Sequence, residues 1–153
     1  MTPIARAALH LLRTPSAAVG AAILLIVLAA AASAPWLFPD DPLEMVGAPF
    51  TWPGEDASFP AGTDLMGRDI LAGLFHGARV SLLVGGASAA IALAIGLLVG
   101  AFAGYAGPRT DAVLMRITEL FQTVPSFLLA IVLVAILGPS LSTIIFALGV
   151  TSW

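Results

Sequence analysis

The 153-residue chain has no cysteine and no lysine, and only 10% of its residues are charged. The missing cysteine excludes a disulfide framework, a thiolate metal site and a cysteine nucleophile together. Without lysine there is no G-x-x-x-x-G-K-[ST] loop to cradle phosphates, so the chain does not hydrolyse nucleotide by itself. G-x-S-x-G and H-E-x-x-H patterns are also absent. Two histidines, His10 and His76, are too few and too far apart for a zinc site. Six arginines against nine acids give a net charge of −3, which leaves no basic surface for nucleic acid. Soluble domains carry roughly 25% charged residues. With 59% hydrophobic residues and a mean hydropathy of +1.04, much of this chain has lipid as its solvent.

The gaps between charges mark the spans. No ionisable residue lies between Arg13 and Asp40, and Ala17 to Ala34 is a run of 18 residues that is nearly all Ala, Ile, Leu and Val. About 20 apolar residues cross a hydrocarbon core of about 30 Å, so a first transmembrane helix is expected over 17–35, after a cytoplasmic leader at 1–16. A competing reading is a cleaved signal peptide, with Ala32-Ser33-Ala34 as its small-residue site. Against it stand an apolar run longer than the roughly 7–15 residues of such peptides and a proline, Pro35, just after the cut. Val80 to Pro108 is a second gap, 29 residues between Arg79 and Arg109, with a span expected near 81–105. From Leu120 to Trp153 no charge occurs, and Gly138-Pro139 divides the stretch, because proline cannot continue a helical ladder and restricts the residue before it. A third span is expected near 120–137 and a fourth, incomplete, over 140–153. The expected fold class is an all-α polytopic membrane protein with three full transmembrane helices plus a truncated fourth.

Arginines set the orientation. Arg6 and Arg13 stand in the leader without an acid, and Arg109 and Arg116 fall within residues 106–119, whereas 36–79 holds seven acids against Arg68 and Arg79. The N-terminus and the 106–119 turn are therefore expected in the cytoplasm and 36–79 outside. The first half of that outer segment is rich in proline and glycine and reads as irregular loop. In the second half Ile70, Leu71, Leu74, Phe75 and Ala78 recur at helical spacing, predicting an amphipathic helix near 69–79 with Asp64 or Asp69 as its N-cap.

Ala92, Gly96, Gly100 and Gly104 fall four apart on the second span, a small-residue stripe suited to close helix packing. Pro125 predicts a kink in the third span near its cytoplasmic end. Gln122, Thr123 and Ser126 lie around it; their polar groups cost free energy against lipid, which places them at a helix interface or on an aqueous path. Gln122 and Ser126 are the candidate path residues. Asp64, Asp69 and His76 form the one cluster from which a metal or acid–base site could be imagined, but the two carboxylates have a ready capping role.

The run Gly62-Thr63-Asp64-Leu65-Met66-Gly67-Arg68-Asp69, then Gly77-Ala78-Arg79-Val80-Ser81-Leu82, resembles the signature before the core spans of the dipeptide/oligopeptide/nickel class of ABC-transporter permeases, specifically their second permease subunit. The likeness continues through Ala103-Gly104-Tyr105-Ala106-Gly107, Asp111, Met115-Arg116, Pro125, Leu137-Gly138-Pro139-Ser140 and Thr151-Ser152-Trp153. It carries Gly62, Thr63, Asp64, Gly67, Arg68, Asp69, Gly77, Arg79 and Ser81 as family-motif residues. The resemblance implies a multi-pass protein of the bacterial inner membrane that imports peptides or a related small solute, nickel included. Its implied partners are a homologous permease subunit, two cytoplasmic ATPase subunits and an extracytoplasmic substrate-binding protein. It implies no catalytic residue, metal or cofactor in this subunit. Such subunits have six spans, with a coupling helix in the cytoplasmic loop after the fourth. The 153 residues stop where that loop is expected to begin, so they are read as an N-terminal fragment unable to couple ATP hydrolysis to transport. The rival reading is a small non-transporting membrane anchor or partner-binding protein. An intramembrane enzyme is the more distant one, since no span holds the ionisable group its chemistry needs.

Overall fold

Five helices follow one another in the computed structural model, which describes residues 14–153, and among these residues there is no strand. Arg6, His10 and Arg13, and with them most of the expected leader, lie outside the described residues. The chain divides into two compact units, 1–82 and 83–153.

Helix α1 is Pro15–Leu37, with Pro15 at its first turn, where a missing N–H costs nothing. It is apolar all round, as a helix bathed in hydrocarbon is. Phe38 caps it, its N–H donating to the Ala34 carbonyl (2.9 Å), before Pro39 and Pro42 prevent any continuation. Helix α2, Ile70–Ala106, runs 37 residues, about 55 Å at 1.5 Å per residue. The Asp69 carboxylate accepts from the Leu71 N–H (2.8 Å) and starts it. Within the first unit Phe75 meets Phe38 edge-on at 5.2 Å. His76 Nε2 lies 2.9 Å from the Phe38 carbonyl, and since a carbonyl only accepts, that nitrogen carries the proton.

Gly107, at φ +91°, turns the chain sharply into α3, Pro108–Thr123. Val124-Pro125 separates α3 from α4, Ser126–Leu137, with a bend of 80°. Gly138 at φ +90° ends α4. Ser140 Oγ then accepts from the Thr143 N–H (3.1 Å) and caps α5, Leu141–Thr151. α4 and α5 pack together. Among the described residues, only α1 and α2 are single helices of membrane-crossing length and hydropathy; α3 and α4 add a third candidate if the bent pair is one broken span.

Helix α5 also touches α2 inside the second unit. Ser88, 7% exposed, donates from Oγ to the Ile145 carbonyl (3.1 Å). A Cβ on Gly149 would stand 2.7 Å from Ile91 Cβ. Ser88 is one turn before Ala92 on the small-residue stripe, so the close approach uses the stripe's N-terminal continuation. Gly96, Gly100 and Gly104 have nothing within 4 Å of where a Cβ would be.

A substitution at Gly149 is therefore expected to be costly where one at Gly100 is not. Gly149→Val should lower the stability of the detergent-solubilised chain by about 1–3 kcal/mol through overpacking against Ile91, with Gly100→Val near parental. Equal thermal melting shifts for the two variants would contradict the α2–α5 contact.

Candidate functional site

The motif 62–69 folds back on itself and on the proline-rich segment before it. Gly62 and Gly67 have φ of +77° and +76°, a region that disfavours L side chains. Added Cβ atoms would lie 2.2 Å from the Thr51 carbonyl oxygen and 2.2 Å from that of Gly47 respectively. These close approaches carry hydrogen bonds. The Val46 and Gly47 N–H groups donate to the Gly67 carbonyl (2.9 and 3.0 Å), and Ile70 N–H donates to that of Gly62 (3.2 Å). Thr63 is 3% exposed because it is the tie between the two segments. Its N–H donates to the Thr51 carbonyl (3.1 Å), its Oγ1 accepts from the Thr51 N–H (3.0 Å), and its hydroxyl donates to the Ala48 carbonyl.

Asp64 closes the turn. Its Oδ1 accepts from the N–H groups of Met66 (2.7 Å) and Arg68 (2.9 Å). The Arg68 amide is the largest influence holding this carboxyl below its ordinary value of 3.8, with the Met66 amide and the Arg68 charge adding to it against desolvation. Arg68 Nε is buried without a hydrogen-bond partner among the described residues. Asp69 caps α2, so the motif's carboxylates hold main-chain donors rather than a ligand. Gly77, Arg79 and Ser81 lie further along α2, exposed, and no hydrogen bond among the described residues joins them to the 62–69 turn.

Gln122 and Ser126 flank the 80° bend and line one cleft of about 360 Å³ in the second unit. Thr118, Phe121, Thr151 and Trp153 share it, and no ionisable side chain does. The Phe121 and Trp153 rings stand 6.2 Å apart. The hydroxyls of Thr118 and Thr151 donate to main-chain carbonyls in their own helices (3.0 and 2.8 Å), leaving the Gln122 amide and the Ser126 and Ser152 hydroxyls with no such bond among the described residues. Pro125 pointed to the bend; the return of 151–153 against it is a tertiary contact that no local pattern announces. The cleft can offer neutral hydrogen-bonding groups beside two aromatic faces, and no acid–base or nucleophilic chemistry.

Residues 96–153 match the family described as binding-protein-dependent transport system inner membrane component. The chain is 41% identical over 138 residues to the di/tripeptide transport system permease protein DppC of Pseudomonas aeruginosa, covering 87% of this chain and 46% of that protein. It is 47% identical over 92 residues to the dipeptide transport system permease protein DppC of Bacillus subtilis, covering 60% and 29%. With the oligopeptide transport system permease protein OppC of Bacillus subtilis the identity is 43% over 101 residues, covering 66% and 32%. The chain thus spans about half or less of the length of these curated relatives.

Two outcomes follow from the loop geometry. A carboxyl with a lowered folded pKa stabilises the fold above its unfolded value, and that contribution is lost as pH falls through the folded value. The amide resonances of Met66 and Arg68 should accordingly titrate with a midpoint below 3.8; a midpoint above it contradicts the Asp64 turn. Gly67→Ala should cost on the order of 1–3 kcal/mol in strain and release the Val46 and Gly47 amides to hydrogen exchange; unchanged protection there would refute the close approach.

Proposed function

Because residues 96–153 match the binding-protein-dependent inner membrane component family, we propose that this chain is the N-terminal part of a permease subunit of an ATP-binding-cassette importer. Its cargo is peptides or a related small solute, carried across the bacterial inner membrane. The observation that carries this reading is the 41% identity to a di/tripeptide permease over 138 residues. α1, the uncharged part of α2 and the stretch 120–137, which is the end of α3 with α4, serve as three spans, and α5 begins a fourth. The N-terminus lies in the cytoplasm and the acidic segment 36–79 outside. A homologous permease pairs with this one, two cytoplasmic ATPases drive it, and an extracytoplasmic binding protein delivers the solute. No ATPase site belongs to this subunit.

In that setting Gln122 and Ser126 line part of the path at the interface with the partner permease. Neutral amide and hydroxyl groups suit a solute that must be held weakly enough to leave. The break at Val124-Pro125, where α4 is not locked to α3 by the helical ladder, lets the spans tilt as the ATPases close. Gly96, Gly100 and Gly104 offer a packing face for another helix. Arg68, Asp69 and Arg79 fix the start of α2 at the outer interface, the arginines reaching toward headgroups.

A topology reporter fused at Glu55 is expected to be active only outside the cytoplasm; activity inside would overturn the orientation. In the full-length subunit assembled with its partners, ATP-dependent uptake of a labelled dipeptide should fall several-fold in Gln122→Leu and Ser126→Leu with membrane levels unchanged. Parental uptake in both variants would remove these residues from the path.

A further inference from the structure

The proline-rich segment between α1 and α2 carries a feature that the 62–69 turn does not explain. Phe50 has φ +59°, the one non-glycine residue with positive φ among the described residues. A bulky L residue there is an outlier, and such strain persists only where neighbouring bonds over-determine the backbone. They do so here. The Phe50 N–H donates to the Asp64 carbonyl (3.0 Å), the Thr51 N–H to Thr63 Oγ1 (3.0 Å) and the Trp52 N–H to Glu55 Oε2 (2.8 Å). Three successive amides are thus fixed, yet the two aromatic side chains they carry stand largely free, Phe50 at 70% exposure and Trp52 at 72%. Together with Pro53, Ala61 and Ile70 they line a largely apolar cavity of about 440 Å³ within the first unit.

Charge and depth determine what fits this cavity. Residues 36–67 hold Asp40, Asp41, Glu44, Glu55, Asp56 and Asp64 and no arginine. The one ion pair among the described residues is Arg116–Glu119, so none of these carboxylates is ion-paired. Glu55 is pinned beside the Trp52 main chain through Oε2, and its other oxygen has no hydrogen bond among the described residues. An aromatic face next to a carboxylate favours a cation, most strongly when the ring is Trp. Ile70 lies nine residues, about 13 Å, along α2 from Arg79, the last charge before the apolar run, which holds the pocket clear of hydrocarbon. Anionic headgroups also repel an acidic segment. We propose that Phe50 and Trp52 form a docking pocket for an arginine side chain of the extracytoplasmic binding protein. The stem of that arginine lies on Pro53 and Ile70, and its planar guanidinium stacks on Trp52 beside Glu55. This inference rests on the importer reading, with 36–79 outside the cytoplasm.

The test uses the full-length subunit assembled with its partners in lipid nanodiscs, and the purified binding protein as the probe. Phe50→Gly removes the ring where glycine accepts the backbone conformation. It should weaken capture of the binding protein several-fold while the thermal midpoint of the assembly stays at or above parental. Trp52→Leu, which keeps apolar volume, should weaken capture several-fold, and Trp52→Phe less. Glu55→Gln, whose amide oxygen can still accept from the Trp52 N–H, should weaken it several-fold through charge alone. Parental affinity in any of Phe50→Gly, Trp52→Leu or Glu55→Gln would overturn the proposal. With benzoylphenylalanine in place of Trp52, photocrosslinking should join the binding protein at an arginine-containing peptide; crosslinks to the homologous permease or to lipid instead would name another occupant and overturn it. If the parental assembly captures no binding protein at all, the importer reading itself fails and this pocket's role with it.

Discussion

Hydrocarbon offers main-chain N–H and C=O groups no partner, so a chain that crosses it must satisfy its own backbone. Much of this structure follows from that constraint. The long uninterrupted elements are helices, and the interruptions are few and provided for. Gly107 and Gly138 take positive φ where L side chains would be strained. At the break after α4, Ser140 supplies a side-chain acceptor for the next helix's first turn. The irregular backbone collects instead in the segment between α1 and α2, where its groups pair with one another or with carboxylates. Asp64 serves two amides there, and Glu55 accepts from the Trp52 N–H at 2.8 Å.

The same constraint explains why close helix packing is made by small residues. Lipid tails are as apolar as leucine, so helices gain by backbone approach rather than by hiding apolar surface. At Ser88 and Gly149 the approach is close enough for a hydroxyl to bond a carbonyl of the neighbouring helix. The three glycines further along α2 have the same character, and among the described residues nothing lies within 4 Å of where a Cβ would be. A surface of that kind gives another helix a place to lie; under the proposed function, the partner permease or later spans of the same subunit would take it.

Helices were legible in the sequence wherever charge was absent over a long run, because the cost of burying an ion in lipid is large and local. Ala17–Ala34 and Val80–Pro108 announce α1 and α2 for that reason. The N-cap of α2 was legible at Asp69, a carboxylate just before an apolar periodicity. Other features were not. That α2 continues through Arg79 without a break depends on the charge lying at a helix surface, which composition does not state. The size of the bend at Pro125 is set by Val124 leaving the helical region as well as by the proline's missing donor. Thr63 looked like one letter of a motif, and its role as the tie to Thr51 and Ala48 depends on a contact 12 to 15 residues back. Ser88 gave no signal beyond its register with the stripe.

The bond between His76 and the Phe38 carbonyl closes the segment 39–75 at its base. A loop whose ends are already held together adds little entropy cost when it grows; each doubling of length costs only about 0.6 kcal/mol. The tip around Gly54 touches nothing that an added Cβ would meet. The segment 39–75 is thus an insert fixed at its base, whose tip can lengthen or shorten while the bond beneath it is kept.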